Sequence, residues 1–332
     1  MKILTPSYYP AFRCIASACP DSCCKEWAVD VDDTAAAFYR SLEGSLGDRL
    51  RQVMEDTEDG TVMTIENGRC PMWRQDGLCR IQAELGHDAL CQVCQQFPRL
   101  RHDYGDFVEL GLELSCPEAA RLILSQDHTF SVEEISGGEA PDYDRELMSI
   151  LLESRAAATA FLDTSPLSPN LTLAVLLLYA HEVQSWIDGG DAAELDVDSC
   201  LALARKYAAN CDWAQFTDFF CDLEVLTTQW QTRLSTPAAT MQWHSGFTTL
   251  AKYFIHRYWL QAVSDYDLIS RVKFLISACL LVCHLGGDFV ETAQLFSKEI
   301  ENDPDNLEAI LDGAYTSPAL TDIHLLSLLL NG

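Results

Sequence analysis

Lysine is scarce in this chain. Its 332 residues include six lysines, Lys2, Lys25, Lys206, Lys252, Lys273 and Lys298, and none lies between Lys25 and Lys206. Basic side chains total 22 against 50 acidic ones, a formal net charge of −28. A field of that sign repels nucleic acid and anionic lipid, so neither is expected as a partner, and it attracts basic proteins. Long apolar runs are also missing. The longest, 171–180 and 274–283, fall short of the roughly 20 residues that a bilayer-spanning helix requires. The opening MKILTPSYYP has no apolar leader core and no small-residue cleavage site, so the expected compartment is the cytoplasm. No G-x-G-x-x-G joins a strand to a helix, and no strand–helix alternation supports a nucleotide-binding doubly wound sheet.

Cysteine, in contrast, is plentiful. Nine of the fourteen lie between Cys14 and Cys116, in four groups. CIASACPDSCC holds Cys14, Cys19, Cys23 and Cys24; RCPMWRQDGLC holds Cys70 and Cys79; ALCQVC holds Cys91 and Cys94; SCP holds Cys116. In a reducing cytoplasm such a set is not a disulfide framework, and metal ligation or redox chemistry is the better reading. Thiolates gathered from separate segments suit zinc or iron–sulfur groups, because both favour soft sulfur ligands. The spacings match neither a zinc ribbon nor the bacterial ferredoxin run. Cys19-x3-Cys23 opens a C-x3-C-x2-C radical-enzyme pattern, but Cys24 follows at once and position 26 is Glu. The spacing therefore points to a thiolate site without naming the metal.

The expected fold class is mainly α. An irregular cysteine-rich module with a little strand, residues 1–130, packs on a larger all-helical domain, residues 141–332. Residues 29–32 alternate as a short extended segment. Apolar spacing predicts a helix from Asp33 or Thr34 to about Met54, ended by EDTEDG, then a short strand and turn before Cys70. Residues 81–97 read as a helix stopped by Pro98, with Cys91 and Cys94 on one face. Residues 107–114 alternate as a strand, and Cys116-Pro117 opens the next helix. The Gly- and Glu-rich stretch 131–143 is the candidate boundary. Beyond it helices are expected over 144–162, 171–187, 197–209, 213–234, 250–263, 268–283, 290–300, 306–311 and 320–330.

The strings FRCIASACPDSCCKEW, CPMWRQDGLCRIQAELG, CQQFPR and LSCPEAARL resemble the flagellin lysine-N-methylase family, within a wider group of cysteine-rich proteins described as zinc- or iron-chelating. The likeness covers about residues 8–124. It implies transfer of methyl groups from S-adenosylmethionine to flagellin lysines and a cysteine-ligated [4Fe–4S] cluster, with zinc as the alternative metal. The matching cysteines are Cys14, Cys19, Cys23, Cys24, Cys70, Cys79, Cys94 and Cys116, which are the candidate metal ligands; Cys91 looks like an extra and is set aside. Eight exceed the four that one cluster needs, so either two sites exist or some cysteines are structural. Most weight falls on Cys70, Cys79, Cys94 and one or two of the N-terminal group. Catalytic residues and a methyl-donor pocket are not visible in the sequence; an acceptor lysine must be neutral to react, so a carboxylate or tyrosine is expected nearby to take its proton.

Cys200, Cys211, Cys221, Cys279 and Cys283 fall on apolar helix patterns and read as core residues. His102 reads as a loop histidine with a possible ligand or proton-acceptor role, and Arg99 as a structural pairing partner. Two other functions compete with the enzyme: a zinc- or iron-binding structural or interaction protein without methyl transfer, and a redox sensor using Cys23 and Cys24.

Overall fold

The computed structural model describes residues 1–25, 27–58, 60–209, 211–238 and 241–331. Glu26 in the first cysteine string and Asp59 in EDTEDG therefore lie outside the described residues. The fold is mainly α with a small share of strand, as the sequence predicts. The N-terminal part runs β1 (Lys2–Pro6), β2 (Val29–Val31), α1 (Asp33–Ser41), α2 (Gly44–Val53), β3 (Met54–Thr57), β4 (Gly60–Met63), α3 (Arg80–Leu85), α4 (Gln92–Gln96), β5 (Arg99–Asp103), β6 (Phe107–Leu112), α5 (Pro117–Ser125) and β7 (Phe130–Glu134). Helices follow: α6 (Arg145–Thr164), α7 (Pro169–Ile187), α8 (Val197–Tyr207), α9 (Trp213–Cys221), α10 (Thr228–Ser235), α11 (Gly246–Tyr258), α12 (Ile269–Leu285), α13 (Phe289–Phe296), α14 (Pro304–Thr316) and α15 (Asp322–Asn331). None of the described helices is long and apolar enough to cross a membrane.

Three predicted helices are interrupted, each for a local reason. The segment 34–54 divides at Leu42-Glu43, with Gly44 at φ 79°. The second half folds back so tightly that a Cβ on Gly47 would lie 2.1 Å from the Leu42 carbonyl oxygen, so only glycine fits there. The segment 81–97 breaks at Gly86, φ 91°, and resumes at Gln92 with Cys91 as its N-cap residue. The segment 213–234 is interrupted between α9 and α10, where the Thr227 side chain caps α10 by accepting from the Trp230 amide. Pro117 stands in the first turn of α5 as predicted, whereas β1, β3, β5 and β7 add strands that the patterns did not mark and β6 ends at Leu112, two residues short of the predicted strand.

The strands make two sheets. One has order β5-β6-β1-β7, with β1 parallel to β6 and the other pairs antiparallel; the second is antiparallel, β2-β4-β3. Buried apolar side chains form two cores. The smaller one collects Val29, Val31, Tyr39, Leu50, Val53, Met63, Met72 and Ile81, together with Cys70 and Cys91. The larger one joins Tyr8, Phe12, Leu112, Leu114 and α5 to the helices. At its centre lies α12, buried along its whole length, which is why its sequence is apolar on every side.

One ion pair fixes the first sheet to the helical layer. Glu109 of β6 accepts two hydrogen bonds from Arg155 of α6, at 2.5 and 2.8 Å, and both side chains are under a tenth exposed. Two buried charges tolerate each other but not isolation. Arg155→Leu is expected to destabilise the protein by about 3–5 kcal/mol, whereas Glu109→Leu combined with Arg155→Leu should recover most of that loss. Urea unfolding of the single and double variants checks this; equal losses in both would refute it.

Candidate functional site

Short turns fold the cysteine strings so that Cys24, Cys70, Cys79 and Cys91 pack on the small core and Cys116 on the larger one. Cys14 and Cys19 flank a 3-10 turn, Ala16–Ala18, in which the Cys14 sulfur accepts from the Ala16 amide at 3.4 Å. The Cys24 carbonyl accepts from the Cys70 amide at 2.8 Å, joining the first string to the second. Trp73 and Cys79 pair across the CPMWRQDGLC loop. Cys79, Cys91 and Cys116 are the N-cap residues of α3, α4 and α5.

The thiols act on one another in two overlapping groups. Cys94 feels the charges of Cys91, Cys24 and Cys23; Cys70 feels Cys79, Cys91 and Cys23, and Cys79 feels Cys23 and Cys91. Cys116 feels Cys19 and Cys23, and Cys19 feels Cys14. Cys23 belongs to both groups. All eight predicted positions are therefore brought to one region. Cys91, set aside on sequence grounds, is brought there with them and shares a thiol–thiol hydrogen bond with Cys94.

Burial governs the protonation of these thiols. At Cys116 loss of water pushes the thiol up to about 12, although the Ala119 and Glu118 amides of α5 point at the sulfur and favour thiolate. Cys70 is raised by burial to about 11, and Cys79 is raised by burial against the amides of Gln82 and Ile81. Cys23 is raised first by its hydrogen bond with Cys24 and then by burial; Cys94 is raised by its bond with Cys91 and then by burial. Within that last pair, the bond from Cys94 holds Cys91 low. Cys19, Cys23, Cys70, Cys79, Cys94 and Cys116 are thus biased towards the neutral thiol and Cys91 towards thiolate, and ligation of a cation would displace the protons. Among the described residues no three Cys, His, Asp or Glu side chains already stand in a metal-holding arrangement. In donor chemistry the set fits a thiophilic metal or an iron–sulfur group.

A second, ionic layer lies behind the thiols, and nothing in the sequence patterns marked it. Past α13 the helix widens into a π turn, Ser297–Glu301, in which Lys298, Glu299 and Glu301 are all buried. Glu301 accepts from Tyr253 at 3.0 Å and Tyr258 at 2.8 Å and forms an ion pair with Arg257 at 3.2 Å. Glu299 accepts from the Leu226 amide at 2.8 Å and from the Thr227 hydroxyl. Tyr253 in turn accepts from the Leu114 amide at 3.3 Å, and Gln294 donates to the Ser115 carbonyl at 2.6 Å, so the strand leading to Cys116 is held by α11 and α13. Glu113 sits at this seam, with its carboxyl raised by burial against the lowering effect of Arg257. A cavity of about 20 Å³ between the sheet and α11 is lined by Tyr8, His102, Glu109, Tyr253, His256 and Arg257. His102 is on strand β5, not in a loop, because residues 99–103 pair with β6.

Comparison with curated proteins supplies a relationship. Over 147 residues the chain is 30% identical to the flagellar biosynthetic protein FliU of Salmonella muenchen, covering 40% of this chain and 83% of that protein. It is also 30% identical over 147 residues to proteins named lysine-N-methylase from Salmonella typhimurium and Salmonella choleraesuis, covering 35% of each. The alignment thus spans about a third of the length of those two relatives. No family model and no solved structure matches the chain.

Three imidazoles give this region an acid limit. Burial holds His102 below its usual range, His128 at about 4 and His256 well below its usual range. Each stays neutral when folded and gains a proton on unfolding, so stability is full above about pH 6.5 and falls as the pH drops towards 4. His128 alone accounts for roughly 3 kcal/mol of that loss. His128→Gln keeps a donor for the Ile123 carbonyl, which His128 contacts at 2.9 Å, and should flatten the pH dependence of urea unfolding. An unchanged slope would disprove it.

Proposed function

The chain belongs to the flagellin lysine-N-methylase family, and from that premise we propose that it is a protein-lysine N-methyltransferase that modifies flagellin. The observation that carries this reading is the alignment with FliU over most of FliU's length; the convergence of the cysteine strings is consistent with it. Under this reading S-adenosylmethionine supplies the methyl group. The neutral lysine nitrogen attacks the methyl carbon as the carbon–sulfur bond breaks, and the sulfonium leaves as a neutral thioether.

The residues at the seam suit the proton step. The lysine must shed one proton before attack and the methylated ammonium another before a second transfer. Glu113 is the proton acceptor we favour, because burial makes its carboxylate a stronger base than an exposed glutamate and it lies in the short turn between β6 and Cys116. Tyr253 and Tyr258 hold Glu301 rather than a free proton site. Acidic surface draws a lysine-bearing protein towards the seam.

Cys14, Cys19, Cys23, Cys24, Cys70, Cys79, Cys94 and Cys116 are the set from which we propose that the ligands of the thiolate-bound group are drawn, with a [4Fe–4S] cluster first and zinc second. Its role under this reading is to close the turns and set the seam. A cytoplasmic location follows from the same reading.

The test uses protein purified without oxygen, with S-adenosylmethionine carrying a labelled methyl group and purified flagellin. Label on flagellin lysines is the expected result. Absence of label from protein with its full iron and sulfide content would refute the enzyme. Cys79→Ser and Cys116→Ser should each lose most of the bound metal, whereas Cys200→Ser, in the helical core, should lose none. Glu113→Gln should lower kcat by about 10²-fold or more, with KM changed little, and abolish the rise of rate with pH. A pH profile unaltered by that change would remove Glu113 from the proton step. Metal content without methyl transfer on any lysine protein would favour the structural metal-binding role.

A further inference from the structure

Two of the six lysines meet at one carboxylate in the first cysteine string. Asp21, between Cys19 and Cys23, accepts from Lys25 at 3.1 Å and from Lys298 at 2.8 Å. Lys25 is a neighbour in sequence, but Lys298 comes from 277 residues away, out of the π turn that follows α13. Its side chain is 2% exposed and its ammonium lies 5.3 Å from the centre of the Trp27 ring. Burial by itself would raise the Asp21 carboxyl; the bond and charge from Lys298, with help from Lys25, overcome that and hold it below its usual range.

The placement is costly, and the cost identifies what it is for. A lysine ammonium loses strong hydration when buried, and a lysine tethered to a loop gains nothing that a hydrophobic contact would not supply more cheaply. What the ammonium adds is direction. Widening the helix by one residue at the π turn aims Lys298 at the loop while Glu299 and Glu301 serve other partners. The loop it reaches carries Cys19 and Cys23, whose thiols feel the charge of Asp21 and which share a neighbourhood with Cys116 on α5. Helix α13 also holds the Cys116 segment through Gln294. One helix and its π turn therefore grip both halves of that thiol group.

We propose that Lys298 is a positioning residue: through Asp21 it latches the Cys14–Cys24 loop to the helical body and so sets Cys19 and Cys23 against Cys116. This rests on reading the thiols as one site. The loop's cysteines then depend on a side chain that is distant in sequence, and the helical part of the chain takes part in building the thiol site.

The experiment is thiol footprinting of the full-length, metal-free protein with a maleimide, read residue by residue by mass spectrometry, with zinc affinity measured against a chromophoric chelator. In Lys298→Met, Cys19 and Cys23 should label about tenfold faster, Cys200 and Cys279 at the original rate, and zinc affinity should fall about tenfold. Lys298→Arg, which keeps a cation within reach of Asp21, should restore much of both. Asp21→Asn breaks the latch from the loop side, leaves the helical core untouched, and should reproduce the footprint even if Lys298→Met unfolds. Unchanged labelling of Cys19 and Cys23 in Asp21→Asn overturns the latch, as does faster labelling with no change in zinc affinity. A wild-type protein that takes up neither zinc nor iron refutes the metal reading and overturns the positioning role with it; an altered footprint would then show a tether and no site.

Discussion

A widened turn of helix with three buried charges is the constraint on which the rest of the structure depends. Lys298, Glu299 and Glu301 lie within five residues and are nearly inaccessible. Charged groups remain in an interior only when their partners are fixed. The partners here come from everywhere: Asp21 from the first cysteine loop, Leu226 and Thr227 from the start of α10, and Tyr253, Arg257 and Tyr258 from α11. Each bond is local chemistry, but together they specify how the cysteine loops, the sheet and the helices are stacked. An apolar seam would hold the layers with less regard to register; a polar one leaves an unpaired ion if the register slips.

The thiols show the complementary principle. Their helix N-termini and loop amides favour thiolate, while the small core beside them favours the neutral thiol, and at Cys116, Cys70 and Cys79 burial wins. A thiol site balanced in this way is inert without a cation and responsive to one, because metal ligation replaces the proton and relieves the mutual repulsion of several sulfurs at once. Cys23 is common to both thiol groups.

The sequence was most legible where one residue type repeats or one period dominates. Pro117 behind Cys116, the apolar length of α12 and the alternation of 107–112 led directly to the elements observed. The cysteine strings also announced themselves, since no core needs nine thiols in a hundred residues. The breaks at Gly44 and Gly86 were less legible, because in a helical pattern an isolated glycine is tolerated as often as it stops the helix; what decided them was the close approach of α2 to Leu42 and the need to turn Cys91 back towards the other thiols. Cys91, set aside on sequence grounds, interacts with Cys94, a proximity that its distance from a motif does not reveal.

The ionic layer was illegible for a deeper reason. Lys298, Glu299 and Glu301 alternate with Phe296 and Ile300 in a stretch that reads as an ordinary amphipathic helix end, whose charges should face water. Only the π turn, which has no sequence signature, rotates all of them inward. Glu113 is hidden likewise: the alternation of 107–114 makes it an outward strand position, but β6 ends at Leu112 and Glu113 falls in the turn that follows, half-buried. In both places tertiary packing converts residues that composition assigns to the surface into the groups that orient the candidate site. A reading built on cysteine spacing alone therefore locates the thiols and misses what holds them, and the carboxylates best suited to proton transfer lie in the missed part.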